Sequence, residues 1–262
     1  MKKTLFLAYG VASYFAFLGT ILYAIGFVGN LLVPKSIDGA PQAPLLQAIL
    51  TNAAFLLLFA VQHSVMARPA FKRWWTQFVP EPVERSTYVL FASVILSSMM
   101  ALWQPMGGTV WQVENEAVRT VLLVFYLTGW AIVFLATFFI NHFDLFGLRQ
   151  VWLYFQGKKY TQLSFRIPFL YKYVRHPLYM GFLIAFWSTP VMTVTHLLFA
   201  VATTAYILIA IQFEERDLVA HFGDRYRRYR QQAPMLIPFT KKPVSMPVPQ
   251  EMPSEAGAKM LP

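Results

Sequence analysis

Long apolar runs alternate with short polar or basic segments along most of the chain. Four runs are long enough to cross the hydrocarbon core of a membrane as helices, which takes about 20 residues. Two further runs form a C-terminal helical hairpin, and the first of them is short enough to be either a full crossing or a re-entrant segment. The pattern therefore predicts an all-α integral membrane protein, a helical bundle of about six segments. The runs lie at residues 5–33, 45–66, 86–103 and 117–140, with the hairpin at 177–193 and 195–213.

Composition supports the membrane assignment and narrows the chemistry. Hydrophobic residues make up 57% of the chain and charged residues 13%, which leaves too little polar surface for a water-soluble globule of 262 residues. The chain has no cysteine, so disulfides, thiolate metal sites and a catalytic cysteine are excluded. No pair of histidines has the spacing of metal ligands on a helix, and we predict no metal site.

The net charge of +10 is distributed as in a membrane protein. Of the 22 Lys and Arg residues, only Lys35 and Arg119 fall outside the segments predicted to share one side of the bundle. Basic residues mark the cytoplasmic side and contact anionic lipids. We therefore expect both termini in the cytoplasm, a multi-pass protein of the cell (inner) membrane, and anionic membrane lipids as partners. No nucleic-acid recognition module accompanies the charge, so we expect no nucleic acid partner.

The chain is predicted to form one membrane-embedded domain over residues 1–240. Residues 241–262 are rich in Pro, Ser, Gln and Glu and have little to bury, which predicts a disordered tail.

Several polar groups are predicted to converge at the cytoplasmic face, because each stands at the end of a span. An ionisable group at such a depth is costly and is a functional candidate. The alternative is that each histidine only caps a helix or lies among lipid headgroups. The groups are His63, Asn141, His142, Asp144, His176, Glu214 and Glu215.

His176 and Glu215 have the most specific local context. Proline at position 177 disfavours a helical conformation at His176 and is a good first helical residue, so a helix N-terminus with free amide donors should follow His176. Glu215 interrupts an apolar stripe of helical period that continues to Tyr229, which predicts an inward carboxylate. The alternative is that Glu215 only forms an ion pair with Arg175. The two interpretations are compatible if Arg175 holds the carboxylate in its inward position.

The same region resembles a family of membrane-embedded methyltransferases that includes isoprenylcysteine carboxyl methyltransferase and the phospholipid methyltransferases. The resemblance rests on the pattern RHPxYxG, which begins at Arg175, and EExxLxxxFGxxYxxY, which begins at Glu214. It implies S-adenosylmethionine as methyl donor, bound at the cytoplasmic end of the hairpin at residues 171–234. The residues that the resemblance assigns to the donor are Tyr171, His176, Pro177, Leu178, Tyr179, Glu214 and Glu215, and we add Arg175 as the partner of Glu215.

The first two-thirds of the chain resemble a narrower group of this family, the methanethiol S-methyltransferases, which make dimethyl sulfide. The matching segments are residues 23–38, 62–69 and 141–148, and the second of them is also similar to NnrU-type membrane proteins. Prenylcysteine enzymes hold a substrate carboxylate with an arginine about one turn before the glutamate pair, where this chain has Ile211. The difference favours a small thiol substrate without a carboxylate.

A base would help to deprotonate a small alkyl thiol, because the pKa of such a thiol is above the 8.5 or so of cysteine. We predict His142 in this role, with Asp144 close by, and His63 as second candidate. The alternatives are a phospholipid or prenylcysteine methyltransferase, which would need a lateral groove open to lipid, and a non-enzymatic transporter, which would place polar residues at mid-membrane.

Overall fold

The computed structural model describes residues 1–241 and Val244, so the predicted tail lies almost wholly outside the described residues. Within these residues the chain forms ten α-helices, one 3-10 helix at Phe169–Lys172 and two short strands. The helices are α1 Lys2–Gly29, α2 Leu45–Met66, α3 Pro69–Trp75, α4 Glu81–Leu102, α5 Glu116–Ile140, α6 His142–Leu145, α7 Leu148–Phe155, α8 Pro177–Trp187, α9 Val194–Phe222 and α10 Asp224–Gln232; the strands are β1 Thr109–Gln112 and β2 Val191–Thr193.

Five helices of the described part of the chain, α1, α2, α4, α5 and α9, are long and apolar enough to cross a membrane. They have 22 to 29 residues, and at a rise of about 1.5 Å per residue each exceeds the roughly 30 Å of a hydrocarbon core. The predicted all-α membrane class is thus confirmed. The apolar run predicted at 195–213 lies within α9, which continues to Phe222 and carries Glu214 and Glu215 inside the helix, as the stripe through Glu215 predicts.

The short apolar segment predicted at 177–193 is not one crossing helix. Helix α8 has 11 residues, a length of about 16 Å, and the chain then continues into strand β2. Helix α8 packs closely against α5, where a Cβ added to Gly129 would lie 2.7 Å from the carbonyl oxygen of Gly181 and 2.6 Å from the amide nitrogen of Ala185. Only glycine permits this approach of two backbones, and α8 therefore lies along the middle of α5.

The strands form a two-stranded antiparallel ribbon that the sequence pattern did not predict. Thr109 pairs with Thr193 and Gln112 with Val191. Asp38 accepts a hydrogen bond from Thr193 and another, at 2.8 Å, from the side chain of Asn30, so the loop after α1 is joined to the ribbon. We call this the ribbon end of the bundle. The opposite end, where α1 begins and α9 ends, is the site end.

The core nearest the ribbon end consists of large apolar side chains from several spans. Trp103 is fully buried between Phe27 and Phe199, with ring centroids 6.1 and 6.0 Å away. His196 also lies here, with Nε2 3.0 Å from the carbonyl oxygen of Phe186. This agrees with a structural role for His196.

At the site end, the predicted stripe from Ile211 to Tyr229 does not lie on one helix. Gly223 has φ +57°, which ends α9, and α10 begins at the next residue. The stripe is nevertheless buried, since Ile211, Tyr226 and Tyr229 are each less than 5% exposed. The break brings the Tyr226 ring back toward Glu215.

Candidate functional site

The turn before α8 has the predicted geometry. Pro177 is the first helical residue, and no side chain caps the helix. The amide of Arg175 donates to the carbonyl of Pro234 at 2.8 Å, and that of His176 to the carbonyl of Met235 at 3.2 Å. The segment after α10 therefore holds the turn in place, and the first amides of α8 remain available to a ligand.

The Glu215 carboxylate is buried and contacts hydrogen-bond donors and cations from the turn before α8 and from α10. Its Oε1 lies 2.6 Å from Arg175 Nε, 3.0 Å from His176 Nε2 and 3.5 Å from the Tyr226 hydroxyl, and its Oε2 lies 3.3 Å from Arg230 Nε. The ion pair with Arg175 is thus present. Glu215 is inward, as predicted, and it joins the start of α8 to α9 and α10.

Glu214 lies on the other side of His176 and is more open. One of its oxygens is 3.9 Å from His176 Nδ1, and its side chain is 42% exposed. Tyr179 is close enough to interact with this carboxylate. Burial, and secondarily the charge of Glu214, raises the pKa of the Tyr171 phenol above its ordinary value, so Tyr171 is a neutral hydroxyl beside an anion.

The residues that the resemblance assigned to the methyl donor are therefore neighbours, and we call them, together with Arg175, the donor cluster. Tyr171 precedes the turn, Pro177, Leu178 and Tyr179 begin α8, and the glutamate pair of α9 flanks His176. Sequence reasoning missed Arg230, although α10 is rich in arginine and only its fold toward Glu215 shows which one reaches the carboxylate.

His142 is buried at the end of α5, in a different set of contacts. Its Nε2 lies 2.9 Å from the Tyr14 hydroxyl of α1 and its Nδ1 2.8 Å from the Thr137 hydroxyl. The ring stacks on Phe138 with centroids 4.2 Å apart. Burial lowers the pKa of His142 below its ordinary value of 6.5, so the ring is neutral at pH 7.

Asp144 is paired elsewhere. Its carboxylate accepts from Arg149 at 2.8 Å and from the Tyr160 hydroxyl at 3.2 Å. Tyr14 and Thr137, not Asp144, orient the His142 ring. The roles of His142 and Asp144 in catalysis stay predictions.

A cleft of about 490 Å³ lies beside His142, between α1 and α7, and most of the side chains that line it are apolar. The lining residues are Leu7, Val11, Asn141, Phe143, Leu148, Arg149 and Trp152.

His63 of α2 lies among hydroxyl groups from other spans. The Tyr88 hydroxyl of α4 is 2.9 Å from both ring nitrogens of His63, and the Ser64 hydroxyl is 3.1 Å from that of Tyr206 in α9. Tyr88 and Tyr206 are within electrostatic range of Tyr179, which belongs to the donor cluster. The second candidate base is thus bonded to a tyrosine that lies near that cluster, whereas none of the contacts given above for His142 involves a residue of the cluster. Tyr88 and Tyr206 were missed because single tyrosines in apolar spans have no distinguishing pattern.

Comparison with known proteins identifies the family. A protein from Crocosphaera subtropica named methanethiol S-methyltransferase is 54% identical to this chain over 242 residues, which is 92% of this chain and 95% of the relative. The chain belongs to the methanethiol S-methyltransferase family. A member from Mycobacterium tuberculosis is 54% identical over 239 residues, covering 91% of this chain and 98% of its own length. Methanethiol S-methyltransferase 2 of Bradyrhizobium diazoefficiens is 56% identical over 232 residues, 88% of this chain and 89% of its own.

These relatives confirm the resemblance stated from the motifs. The alignment covers the N-terminal spans as well as the hairpin, so the whole membrane domain belongs to the methanethiol S-methyltransferase family. No protein-family model matches the chain, and no solved structure matches it.

Proposed function

We propose that this protein methylates methanethiol to dimethyl sulfide with S-adenosylmethionine as the methyl donor. The proposal is carried by one observation: two carboxylates of α9 flank His176 at the open N-terminus of α8, in a chain of the methanethiol S-methyltransferase family. When bound, the donor supplies a methyl group on a sulfonium sulfur. A thiolate that accepts this methyl yields two neutral sulfides.

The donor cluster offers the hydrogen-bond acceptors and donors that a nucleoside with an amino-acid tail requires. Glu214 is partly open and accepts hydroxyl or ammonium hydrogens, while the first amides of α8 donate to a carboxylate. Glu215 binds Arg175 and His176 and so keeps the turn in position. Tyr171 and Tyr179 provide aromatic faces, and cation–π attraction to a sulfonium contributes about 0.5 to 2 kcal/mol.

Alignment of the nucleophile, the methyl group and the leaving sulfur is the first task of the site. Removal of the thiol proton is the second, and it belongs to a neutral imidazole at the site end. His142 and His63 are both candidates, since each is held by a tyrosine hydroxyl at 2.9 Å.

A small uncharged thiol suits the site better than a lipid or prenylcysteine substrate. Ile211 is fully buried one turn before Glu215, where an arginine would hold a substrate carboxylate. The Arg175 side chain is already bonded to Glu215 and to the carbonyl oxygen of Ala233 at 2.6 Å. The cleft beside His142 is apolar, but its lining residues do not include any member of the donor cluster.

The site end is proposed to face the cytoplasm of a cell whose inner membrane holds the protein. Lys2, Arg68, Arg85, Arg149 and Arg175 all lie toward this end, as the positive-inside rule requires. The same residues would contact anionic lipid headgroups.

Two measurements on the purified protein test the proposal. Calorimetry should show saturable binding of S-adenosylmethionine, which an unrelated transporter would lack. Incubation with methanethiol and the donor should release dimethyl sulfide into the headspace. If the protein binds the donor and methylates a phospholipid or prenylcysteine but releases no dimethyl sulfide, methanethiol is not the substrate. Absence of donor binding would reject the function.

A further inference from the structure

A group of hydroxyls and one imidazole lies between three apolar spans, apart from the groups that hold the glutamate pair. His63 and Ser64 come from α2, Tyr88 from α4 and Tyr206 from α9. Tyr88 is 6% exposed, and the other three side chains are partly buried. Polar groups inside a membrane bundle are costly and need a reason to be kept.

The arrangement pairs a phenol with an imidazole. The Tyr88 hydroxyl lies 2.9 Å from each ring nitrogen of His63, and its single hydrogen is donated to one of them at a time. Phe59 stacks on the other side of the imidazole with centroids 5.0 Å apart. The ring is therefore held between an aromatic face and the Tyr88 hydroxyl.

This pair lies near Tyr179 of the donor cluster. The Tyr179 phenol interacts with Glu214 and is within electrostatic range of both Tyr88 and Tyr206. Tyr88 and Tyr206 are also within range of each other. Three phenols from α4, α8 and α9 thus lie within electrostatic range of one another, and Tyr179 is the one that interacts with the more open carboxylate, Glu214.

We propose that Tyr88, paired with His63, receives the proton of the thiol substrate, and that the thiol sulfur binds between Tyr88, Tyr179 and Tyr206. This inference rests on the proposed function. The thiol hydrogen passes to the Tyr88 oxygen as the Tyr88 hydrogen passes to a ring nitrogen of His63. The sulfur then forms a bond to the donor methyl carbon as the bond from that carbon to the sulfonium sulfur breaks. His63 later releases the proton to water.

Two guanidinium groups on the neighbouring elements favour an anionic sulfur near Tyr88, and the Glu84 carboxylate opposes it. The Arg85 guanidinium lies 4.9 Å from the centre of the Tyr88 ring. Arg68 follows α2 and pairs with Asp217 of α9 at 2.8 Å, and Glu84 precedes Arg85 on α4. Arg68, Arg85 and Glu84 all interact electrostatically with Tyr88. A fixed positive charge close to a developing thiolate lowers the energy of its formation.

The decisive experiment compares Tyr88→Phe with Tyr9→Phe in the full-length protein. Tyr9 is a matched control, because its hydroxyl donates to Thr87, the neighbour of Tyr88, at 3.0 Å and has no place in the proposed site. We expect Tyr88→Phe to lower kcat/KM for methanethiol by about 100-fold at neutral pH, a usual contribution of a general base. S-Adenosylmethionine affinity should stay within about twofold of wild type, and Tyr9→Phe should keep full activity.

The pH profile and a second thiol separate proton transfer from a structural effect. In Tyr88→Phe the rate should rise with pH toward the pKa of the free thiol, so the deficit shrinks in alkali. A more acidic thiol, 2,2,2-trifluoroethanethiol, should be methylated by the variant at close to the wild-type rate. His63→Gln should show the same two rescues.

An unchanged pH profile and rate in Tyr88→Phe would overturn the inference, and so would a rate deficit that neither alkali nor the acidic thiol rescues. If the wild type makes dimethyl sulfide in that case, the proposed function still stands. If Tyr88→Phe does not fold, His63→Gln gives the same test.

Discussion

At the scale of single residues, Glu215 shows how a charge is kept in an apolar bundle. A buried carboxylate is costly unless other groups replace its hydration. Here Arg175, His176, Arg230 and Tyr226 all direct donors at one carboxylate. Loss of the Glu215 charge would leave the Arg175 guanidinium, which is 11% exposed, without its carboxylate partner.

We expect Glu215→Gln to weaken S-adenosylmethionine binding by about tenfold or more and to lower the melting temperature. The amide retains one acceptor oxygen but no charge, so the mostly buried Arg175 side chain loses its ion pair, and breaking such a pair costs about 3 to 5 kcal/mol. Calorimetry and thermal melting in detergent measure both effects.

The matched control is Asp224→Asn, which removes the same charge from an exposed ion pair with Arg227 close to the site. It should change neither quantity, because exposed pairs contribute little. Equal behaviour of the two variants would contradict the role of Glu215.

His142 gives a prediction for pH. Burial lowers its pKa in the folded protein, so below the ordinary value of about 6.5 the unfolded chain binds a proton that the folded chain does not. This part of the stability is therefore present above about pH 6.5 and is lost as the pH falls. The melting temperature of His142→Gln should therefore fall less than that of the wild type when the pH is lowered from about 7.5 to about 5. Identical losses would show that the ring is not buried in the neutral form.

At the scale of elements, the position of the candidate site depends on the contact between α5 and α8. Helix α8 is short, and its register on α5 sets where Pro177 begins the helix and hence where His176 meets Glu215. The two glycines at the crossing, Gly129 and Gly181, allow backbone contact that side chains would prevent.

We expect Gly129→Ala to destabilise the protein by about 1 to 3 kcal/mol, because the new Cβ meets backbone atoms of α8 that cannot move aside. Displacement of α8 should also weaken donor binding. Gly19→Ala is the control, since nothing lies within 4 Å of its Cβ, and replacing a helical glycine there gains up to about 1 kcal/mol. Melting temperatures and donor affinities of both variants check this, and a neutral Gly129→Ala would contradict the packing.

The bounds of a helix were predictable where a local sequence pattern determines them. Helix α2 has the predicted bounds, and Pro177 starts α8 as expected. The ribbon was missed because β1 and β2 have three or four residues each and pair over 80 positions of sequence. A helix through Glu214 and Glu215 was predicted by the apolar stripe, but its end at Gly223 was not, because a stripe of helical period does not show where the backbone turns.

At the scale of the whole molecule, the sequence predicts which polar residues lie at the same end of the bundle. It does not predict which of them contact one another. His63, His142, His176 and the glutamate pair share the site end, as the spans and their charges indicated. The structure separates them into residues that contact Glu215, such as His176, and His142 with its own partners. This separation depends on how the helices pack, which hydrophobic periodicity does not specify. For this reason the prediction ranked His142 above His63, whereas the nearness of Tyr88 to Tyr179 favours His63.

Orientation is testable because the chain has no cysteine of its own. Single variants Lys3→Cys at the site end and Glu114→Cys at the ribbon end both place a thiol at an exposed position. A membrane-impermeant maleimide added to intact cells should label only Glu114→Cys. In inverted vesicles, which expose the cytoplasmic face, the same reagent should label only Lys3→Cys. The opposite pattern would place the site end outside.

The most direct test of the account is a structure of the purified protein with S-adenosylhomocysteine. We predict density for the nucleoside and its amino-acid tail between the start of α8 and Glu214, in contact with Tyr171, His176 and Tyr179, and with the thioether sulfur facing Tyr88. Density in the apolar cleft between α1 and α7, or at the ribbon end, would contradict it.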